Sequence, residues 1–404
     1  MASRSSFRHP LVTAYLRWTW LRSALHNGWW LVTSLYLVLD AGLTPSQLVL
    51  IGAVQSVFAL FGEIPAGVLA DTVSRKLSLV LSLVLMGTAM IGTGLVTSFP
   101  LLLATQVVWG LSWTFSSGAD IAWITDELDR PDVITSVLAR AARAQLAGAA
   151  TGLAVLGALA YATRRDLAIV LAGSAMLLLA VYVVVRFTEE RFVAARRARW
   201  SASLTVFRRG VALVRRSPDL RRIFLATALI NGAADAGGRL APKQLVDLGL
   251  PIGGDPVVWF TGLGSVGLLV GVLAIRVVGR RLDGDHARSS YGTAALIGAG
   301  GTALLAFAPD AVTGSVALVI VSGIAIPLTR VISTIWINAR TTSDIRATTH
   351  SFLAQAEYLG EITGGVAIAA VAGVVGLPLA LAGSAALYAL TSLLMRVRRP
   401  SPPS

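Results

Sequence analysis

An apolar run of about twenty residues ends in a short polar turn twelve times along this chain, first near residue 14 and last near residue 396. A helix needs roughly 20 such residues to cross the hydrocarbon of a bilayer. The expected spans are 14–38, 46–69, 77–97, 100–123, 137–161, 166–187, 222–245, 257–279, 290–308, 312–337, 350–373 and 376–396. Their gaps carry turn signals such as Thr44-Pro45, Ser98-Phe99-Pro100, Ala308-Pro309-Asp310 and Gly376-Leu377-Pro378. Only 14% of residues are charged, against about 25% in an average globular chain, and mean hydropathy is +0.73. A soluble domain is excluded.

The net charge of +13 falls between apolar runs and not along one face, so a nucleic-acid partner is not expected. The absence of cysteine removes disulfides, zinc–thiolate sites and thiol catalysis. Met1–Pro10 is polar and basic, without the apolar core of a removable signal peptide. Lys and Arg set the orientation. The connections before spans 2, 4, 10 and 12 contain neither, whereas those after spans 2, 4, 6, 8 and 10 and both termini are basic. On the opposite side stand only Arg164, Arg165, Lys243 and Arg239. Both termini are therefore expected in the cytoplasm, with the chain multi-pass in a bacterial inner (cytoplasmic) membrane.

The longest polar stretch, 188–221, separates an N-terminal bundle at 1–187 from a C-terminal one at 222–404. Its arginine pairs at 196–197, 208–209 and 215–216, with the pair 221–222 at its boundary, flank Trp200, Leu204, Phe207 and Val211 at helical spacing. That pattern suits an amphipathic helix on anionic membrane lipids, and equally a plain basic linker. The two halves read as copies. Gly67-Val68-Leu69-Ala70-Asp71 matches Gly271-Val272-Leu273-Ala274-Ile275, and Asp40-Ala41-Gly42-Leu43 matches Asp247-Leu248-Gly249-Leu250. Secondary transporters are built from such repeats. The expected architecture is all-α, with twelve transmembrane helices in two pseudo-symmetric six-helix bundles.

The turn between spans 2 and 3 is unusually specific. Gly67 is expected to let two helices approach closely, Asp71 closes one helix, and Arg75 and Lys76 open the next. This stretch resembles the G-x-x-x-D-[RK]-x-G-[RK]-[RK] signature of the major facilitator superfamily of secondary transporters. Gly67, Asp71, Arg75 and Lys76 match it, and Thr72 and Ser74 depart from it. Glu63-Ile64-Pro65, Ser117-Gly118, Asp126-Glu127-Leu128, and Asn338 with Arg346-Ala347-Thr348 extend the resemblance over the chain. The resemblance implies that Asp71, Arg75 and Asp126 form a conformational switch, with Gly67 and Lys76 in the same turn. It also implies a central cavity lined by spans 1, 4, 7 and 10. Two antiporter features are missing. Gln106 stands where an intramembrane Arg is expected before Gly110, and span 5 has no Gly-Pro pair.

Ionisable groups inside a bilayer cost roughly 2.5–3.5 kcal/mol each on insertion scales and are functional candidates by default. Those singled out here are Arg22 and His26 in span 1, Glu63 in span 2, Asp120 in span 4, Asp235 and Arg239 in span 7, Arg330 in span 10, and Glu357 and Glu361 in span 11. Trp113 shares a face with Asp120, and Asn231, Asp235 and Arg239 form an i, i+4, i+8 stripe. Asp235 with Arg239 reads equally as a fixed ion pair, and His26 as a packing residue. The leading expectation is a monomeric secondary active transporter, working by alternating access, that exports a small amphipathic organic compound in exchange for protons. An importer of a polar or charged metabolite is the alternative. A membrane-embedded lipid-modifying enzyme is remote, since no catalytic motif or nucleotide loop is found. No cofactor or metal is expected.

Overall fold

The structure, a computed structural model, describes residues 10–194, 212, 215, 217–250, 254–279, 286–340 and 343–396. In the first half the helices are α1 (Pro10–Leu39), α2 (Pro45–Thr72), α3 (Arg75–Leu95), α4 (Phe99–Ser116), α5 (Ala119–Leu128), α6 (Pro131–Ala162) and α7 (Arg165–Arg186). In the second they are α8 (Pro218–Asp247), α9 (Pro256–Gly279), α10 (Ala287–Ala306), α11 (Ala311–Val319), α12 (Ile326–Arg340), α13 (Ser343–Val375) and α14 (Leu377–Arg396). A π-helical stretch, Ile320–Ala325, joins α11 to α12. Because α4 runs on into α5 and α11 into α12, the helices make twelve membrane-crossing segments. The amphipathic helix expected around Trp200–Val211 lies outside the described residues.

Side chains and glycines set the helix ends. Ser74, Ser217 and Asp310 are N-caps whose side chains accept from Leu77, Leu220 and Thr313 N–H groups, satisfying donors a helix leaves open. The span expected to run unbroken over 100–123 is instead interrupted at Ser117-Gly118, where Gly118 has φ 73° and starts the new helix α5. A left-handed backbone suits glycine and ends α4 there. The repeated turn before spans 2 and 8 has the same device in both halves, with Gly42 at φ 60° and Gly249 at φ 78°.

Among the described residues, eight of the crossings are apolar and long enough to span a membrane by length and composition alone, α11 with α12 counting as one. The crossings that fall short are α1, α4 with α5, α8 and α10. Polar groups such as Arg22, His26, Gln106, Asp120, Asp235 and Arg239 lower three of them, and small residues lower α10. Elsewhere the outer faces are apolar. On α9, Leu269, Leu273 and Val277 are 66%, 58% and 66% exposed at four-residue spacing, a stripe fitted to lipid and not to water.

Two compact units are formed. One takes in the chain to Leu43, Val57–Ser203 and Asp255–Thr261; the other takes in Thr44–Ser56, Leu204–Gly254 and the chain from Gly262. The opening turns of α2 thus belong with the second unit and those of α9 with the first. In the first unit α1 packs on α6 and α7, and α3 packs on α7 and α4. In the second, α8 packs on α13 and α14, and α10 packs on α14. This is the same pairing twice. It is enforced by small residues, since lipid gives helices no hydrophobic drive to associate. A Cβ on Gly152 would lie 1.9 Å from the Ala24 carbonyl oxygen, and one on Gly360 would lie 1.9 Å from that of Ala228. Ala24 and Ala228 stand in equivalent places, 204 residues apart (228 − 24), the same offset as Gly67 and Gly271.

Candidate functional site

Three groups of polar side chains stand out. The first surrounds the turn between α2 and α3. Arg75 forms an ion pair with Asp126 and donates to the Ala122 carbonyl at 2.9 Å, which fixes the start of α3 against α5. Its guanidinium also lies 5.9 Å from the Phe192 ring. Ser74, a departure from the signature, caps α3 and donates its hydroxyl to Glu189, which also accepts from the Lys76 N–H at 3.0 Å. A carboxylate at a helix N-terminus is favoured by the helix dipole. The segment after α7 is held along its length. Phe187 stacks on Trp123 at 3.9 Å, the Trp123 indole donates to Thr188, and the Arg191 N–H donates to Glu127 at 2.9 Å.

Sequence reasoning names Glu127 only within the Asp126-Glu127-Leu128 run, with no role of its own, and does not pick out Glu189. The one available signal is an acid pair immediately following an apolar run. Asp71 lies in the last turn of α2, and Glu63 two turns earlier on the same helix. Gly67 corrects an expectation. Among the described residues a Cβ there would meet nothing within 4 Å, so none of them makes a close helix approach at this glycine.

The second group is a wall shared by α1 and α4. On α1, Trp18, Arg22, His26 and Trp29 follow one another at helical spacing, and on α4 Trp109, Trp113 and Ser116 do the same. The Arg22 guanidinium lies over Trp113 at 4.5 Å and over Trp18 at 5.4 Å, and donates to the Ser116 hydroxyl at 2.7 Å. His26 stacks on Trp109 at 5.5 Å and meets Trp113 at 5.0 Å. Trp29 and Trp30 both stack on Trp109, at 5.5 and 5.7 Å. Asp120 sits in the first turn of α5, where backbone N–H groups face it, and its charge acts on Arg22 through space.

The third group lies in the second unit. Asp235 and Arg239, one turn apart on α8, form an ion pair at 2.9 Å, with Arg239 also donating to the Gln55 side chain at 2.5 Å. Ser56 donates its hydroxyl to Glu361 on α13. Glu361 feels the charges of Asp235, Arg239 and Glu357. Gly52 makes room for the pair. A Cβ on it would lie 2.2 Å from Asp235 Oδ2 and 2.3 Å from Arg239 Nε. Asn231, expected in the same stripe, donates instead to Thr227 within its own helix at 2.9 Å. Glu357 has Arg330 as its charged neighbour, a cation 27 positions away in sequence (357 − 330), and both side chains are exposed. Among the described residues no His, Cys, Asp and Glu cluster could hold a metal ion.

Helices paired the same way in two halves, an acid–base turn between the second and third spans, and charged groups inside the spans agree with the family resemblance of the sequence. The sequence matches the profile of the Major Facilitator Superfamily over residues 21–364. The chain belongs to the Major Facilitator Superfamily. Among curated proteins none matches it in sequence.

Solved structures share this superfamily fold along nearly the whole chain. The nucleoside transporter NupG is similar with a TM-score of 0.74 and 14% identity, over 95% of this chain and 98% of that one. A POT family transporter in complex with a thioalcohol-conjugated peptide gives 0.73 and 11%, over 95% and 94%. A bacterial homolog of the human lysosomal transporter Spinster gives 0.69 and 15%, over 98% and 95%. At such identities the shared property is the superfamily fold, that of a multi-pass membrane transporter.

Proposed function

We propose that this chain is a secondary active transporter that works by alternating access and exports a small amphipathic organic compound in exchange for protons. The observation that carries the coupling is Glu361. Asp235 and Arg239 neutralise one another beside it, so an ionised Glu361 leaves the cluster with one uncompensated negative charge. Its hydrogen-bond partner is a serine hydroxyl, which donates to a carboxylate and accepts from a carboxylic acid equally well. Both protonation states are therefore accommodated, and they differ in electrostatic cost. With Glu361 protonated, the opening turns of α2 pack against α8 and α13 around a neutral cluster. With Glu361 ionised, repulsion from Asp235 and the cost of burying net charge work against that packing. Proton binding thus biases one conformational state, which is what coupling requires.

At the other end of α2, the pair of Arg75 with Asp126, together with Asp71 and Lys76, serves as the conformational latch. The aromatic wall of α1 and α4, centred on Trp109 and Trp113, supplies the apolar contact an amphipathic compound needs. The bias of arginine toward one set of loops supports cytoplasmic termini in a bacterial cell, and the transporting form is a monomer. Import of a charged metabolite is the second reading, favoured by the buried Arg22 guanidinium.

The test is transport by purified protein in liposomes, with an imposed pH gradient and a panel of amphipathic compounds. Flux should follow the gradient, running opposite to proton movement, and Glu361→Gln should abolish that dependence. Flux indifferent to the gradient would remove proton coupling, and solute moving with the protons would favour import.

A further inference from the structure

The wall of α1 and α4 has an imbalance that its packing leaves unresolved. Five buried polar atoms there have no hydrogen-bond partner: Arg22 Nε, His26 Nδ1, and the indole nitrogens of Trp18, Trp29 and Trp109. The guanidinium and the three indoles can only donate. What the wall lacks is acceptors.

Nor is the charge of Arg22 met at contact distance. Its hydrogen bond goes to a neutral hydroxyl, that of Ser116, and its guanidinium carbon lies over the rings of Trp18 and Trp113. Asp120 acts on it through space only, with its own oxygens facing backbone N–H groups at the start of α5. A cation inside a membrane-spanning bundle is normally paired with an anion or with carbonyl oxygens. Arg22 is held in one orientation by stacking and one bond, leaving the Nε–H edge unused.

We infer that the α1–α4 wall, with Arg22 at its centre, is a binding site for planar anions: compounds carrying an aromatic ring and a carboxylate or comparable oxyanion. The anion accepts from Arg22, where a charge-assisted bond is strongest, and the ring lies against the partly exposed indole of Trp113. His26, stacked on Trp109 and tilted against Trp113, adds a group that donates or accepts as its tautomer requires. A cationic ligand would meet Arg22 as a like charge and find the one nearby acid already occupied. This inference rests on the transport reading for its purpose, and it narrows the transported compound to an anionic aromatic class.

The experiment is equilibrium binding to the purified full-length protein in detergent, by calorimetry and by tryptophan fluorescence. The probes are 2-naphthoate, its neutral amide and the matching naphthylmethylammonium cation. The acid should bind saturably and at least about tenfold more tightly than the amide, as expected when a site built for a charged acceptor loses it. The cation should bind more weakly still. Arg22→Gln should bring acid and amide to the same affinity. Trp113→Leu should weaken acid and amide together while keeping their ratio. Equal binding of all three probes, preference for the cation, or no binding of any overturns the inference, whether or not the variants fold.

Binding at equilibrium needs no gradient, so it separates from transport. Arg22-dependent naphthoate binding without flux in liposomes would defeat the transport reading and leave the site. Gradient-driven flux of other compounds, with naphthoate binding unchanged in Arg22→Gln, would do the reverse.

Discussion

Ser56 on α2 donates a hydrogen bond to Glu361 on α13, although 305 positions separate them in the chain. The bond links the first turns of α2 to a carboxylate beside the Asp235–Arg239 pair. If Glu361 carries the proton, Glu361→Gln fixes the cluster in its neutral form. Gradient-driven flux should then fall on the order of 10–100-fold, the size of a coupling free energy of about 1–3 kcal/mol. Exchange of labelled for unlabelled solute with no gradient should persist. Measuring both in the same liposomes checks this, and loss of exchange as well would assign Glu361 to substrate binding.

The pair of Arg75 with Asp126 is partly open to solvent, at 18% and 39% exposure. Exposed pairs contribute about 0–1 kcal/mol to stability, so breaking this one should cost little folding. Its effect should appear in transport. Asp126→Asn, Arg75→Gln and Asp71→Asn are each expected to reduce flux at unchanged expression and nearly unchanged Tm. The double exchange of Arg75→Asp with Asp126→Arg should recover part of the loss. Normal flux in all three single variants would leave the turn as mere topogenic charge.

Glu189 should behave differently from the residues of the signature. It holds two groups at the start of α3, the Ser74 hydroxyl and the Lys76 N–H. Glu189→Gln keeps an acceptor there but removes the charge facing the helix terminus, a loss of about 0.3–1 kcal/mol. Glu189→Ala removes both and should cost about 1–3 kcal/mol, because donors are left unmet. Thermal unfolding in one detergent, comparing the two variants, measures the difference.

The twelve crossings are legible because a bilayer fixes how long an apolar run must be, and a single sequence displays that length directly. The break at Gly118 is not, since the apolar pattern continues through it and the left-handed φ leaves no mark beyond one glycine. The π stretch at Ile320–Ala325 is hidden for the same reason, as it changes the hydrogen-bond register but not the hydropathy. Arg75 and Asp126 are visible as charges at adjoining helix ends. Gln55 and Ser56 are not, because an ordinary polar pair near a helix start says nothing of partners on α8 and α13. Gly67 misleads. A glycine inside a signature suggests close approach, yet the glycines crowded most tightly among the described residues are Gly152 and Gly360, which belong to no signature.

That contrast gives a test of the repeated packing. A Cβ at Gly152 would overlap the Ala24 carbonyl oxygen at 1.9 Å, and the neighbour is backbone, which cannot swing aside. Gly152→Ala should therefore push α6 from α1 and cost about 1–3 kcal/mol, the usual penalty of overpacking. Gly360→Ala should do the same between α13 and α8, where the Ala228 carbonyl stands at 1.9 Å. Gly67→Ala is the control, since none of the described residues lies within 4 Å of its Cβ. It should be neutral or slightly stabilising, as alanine favours a helix by about 0.8–1.0 kcal/mol over glycine. Thermal unfolding of the three variants separates the cases, and equal loss at Gly67 and Gly152 would contradict the packing described.

Gly52 adds a case in which the crowded neighbours are side chains. A Cβ there would lie 2.2 Å from Asp235 Oδ2 and 2.3 Å from Arg239 Nε, the ends of side chains that can rotate away. Gly52→Ala should be cheap in stability, because relaxation is available and a helix prefers alanine. The displaced Arg239 would leave Gln55 and stand differently toward Glu361, so the variant should alter the pH dependence of flux more than its maximum. Gly52→Ala with an unshifted pH profile would mean that the pair is structural and that Glu361 titrates without it. A shifted profile at unchanged Tm would tie the Asp235–Arg239 pair to coupling, because the substitution touches no titratable group itself and acts only by moving one.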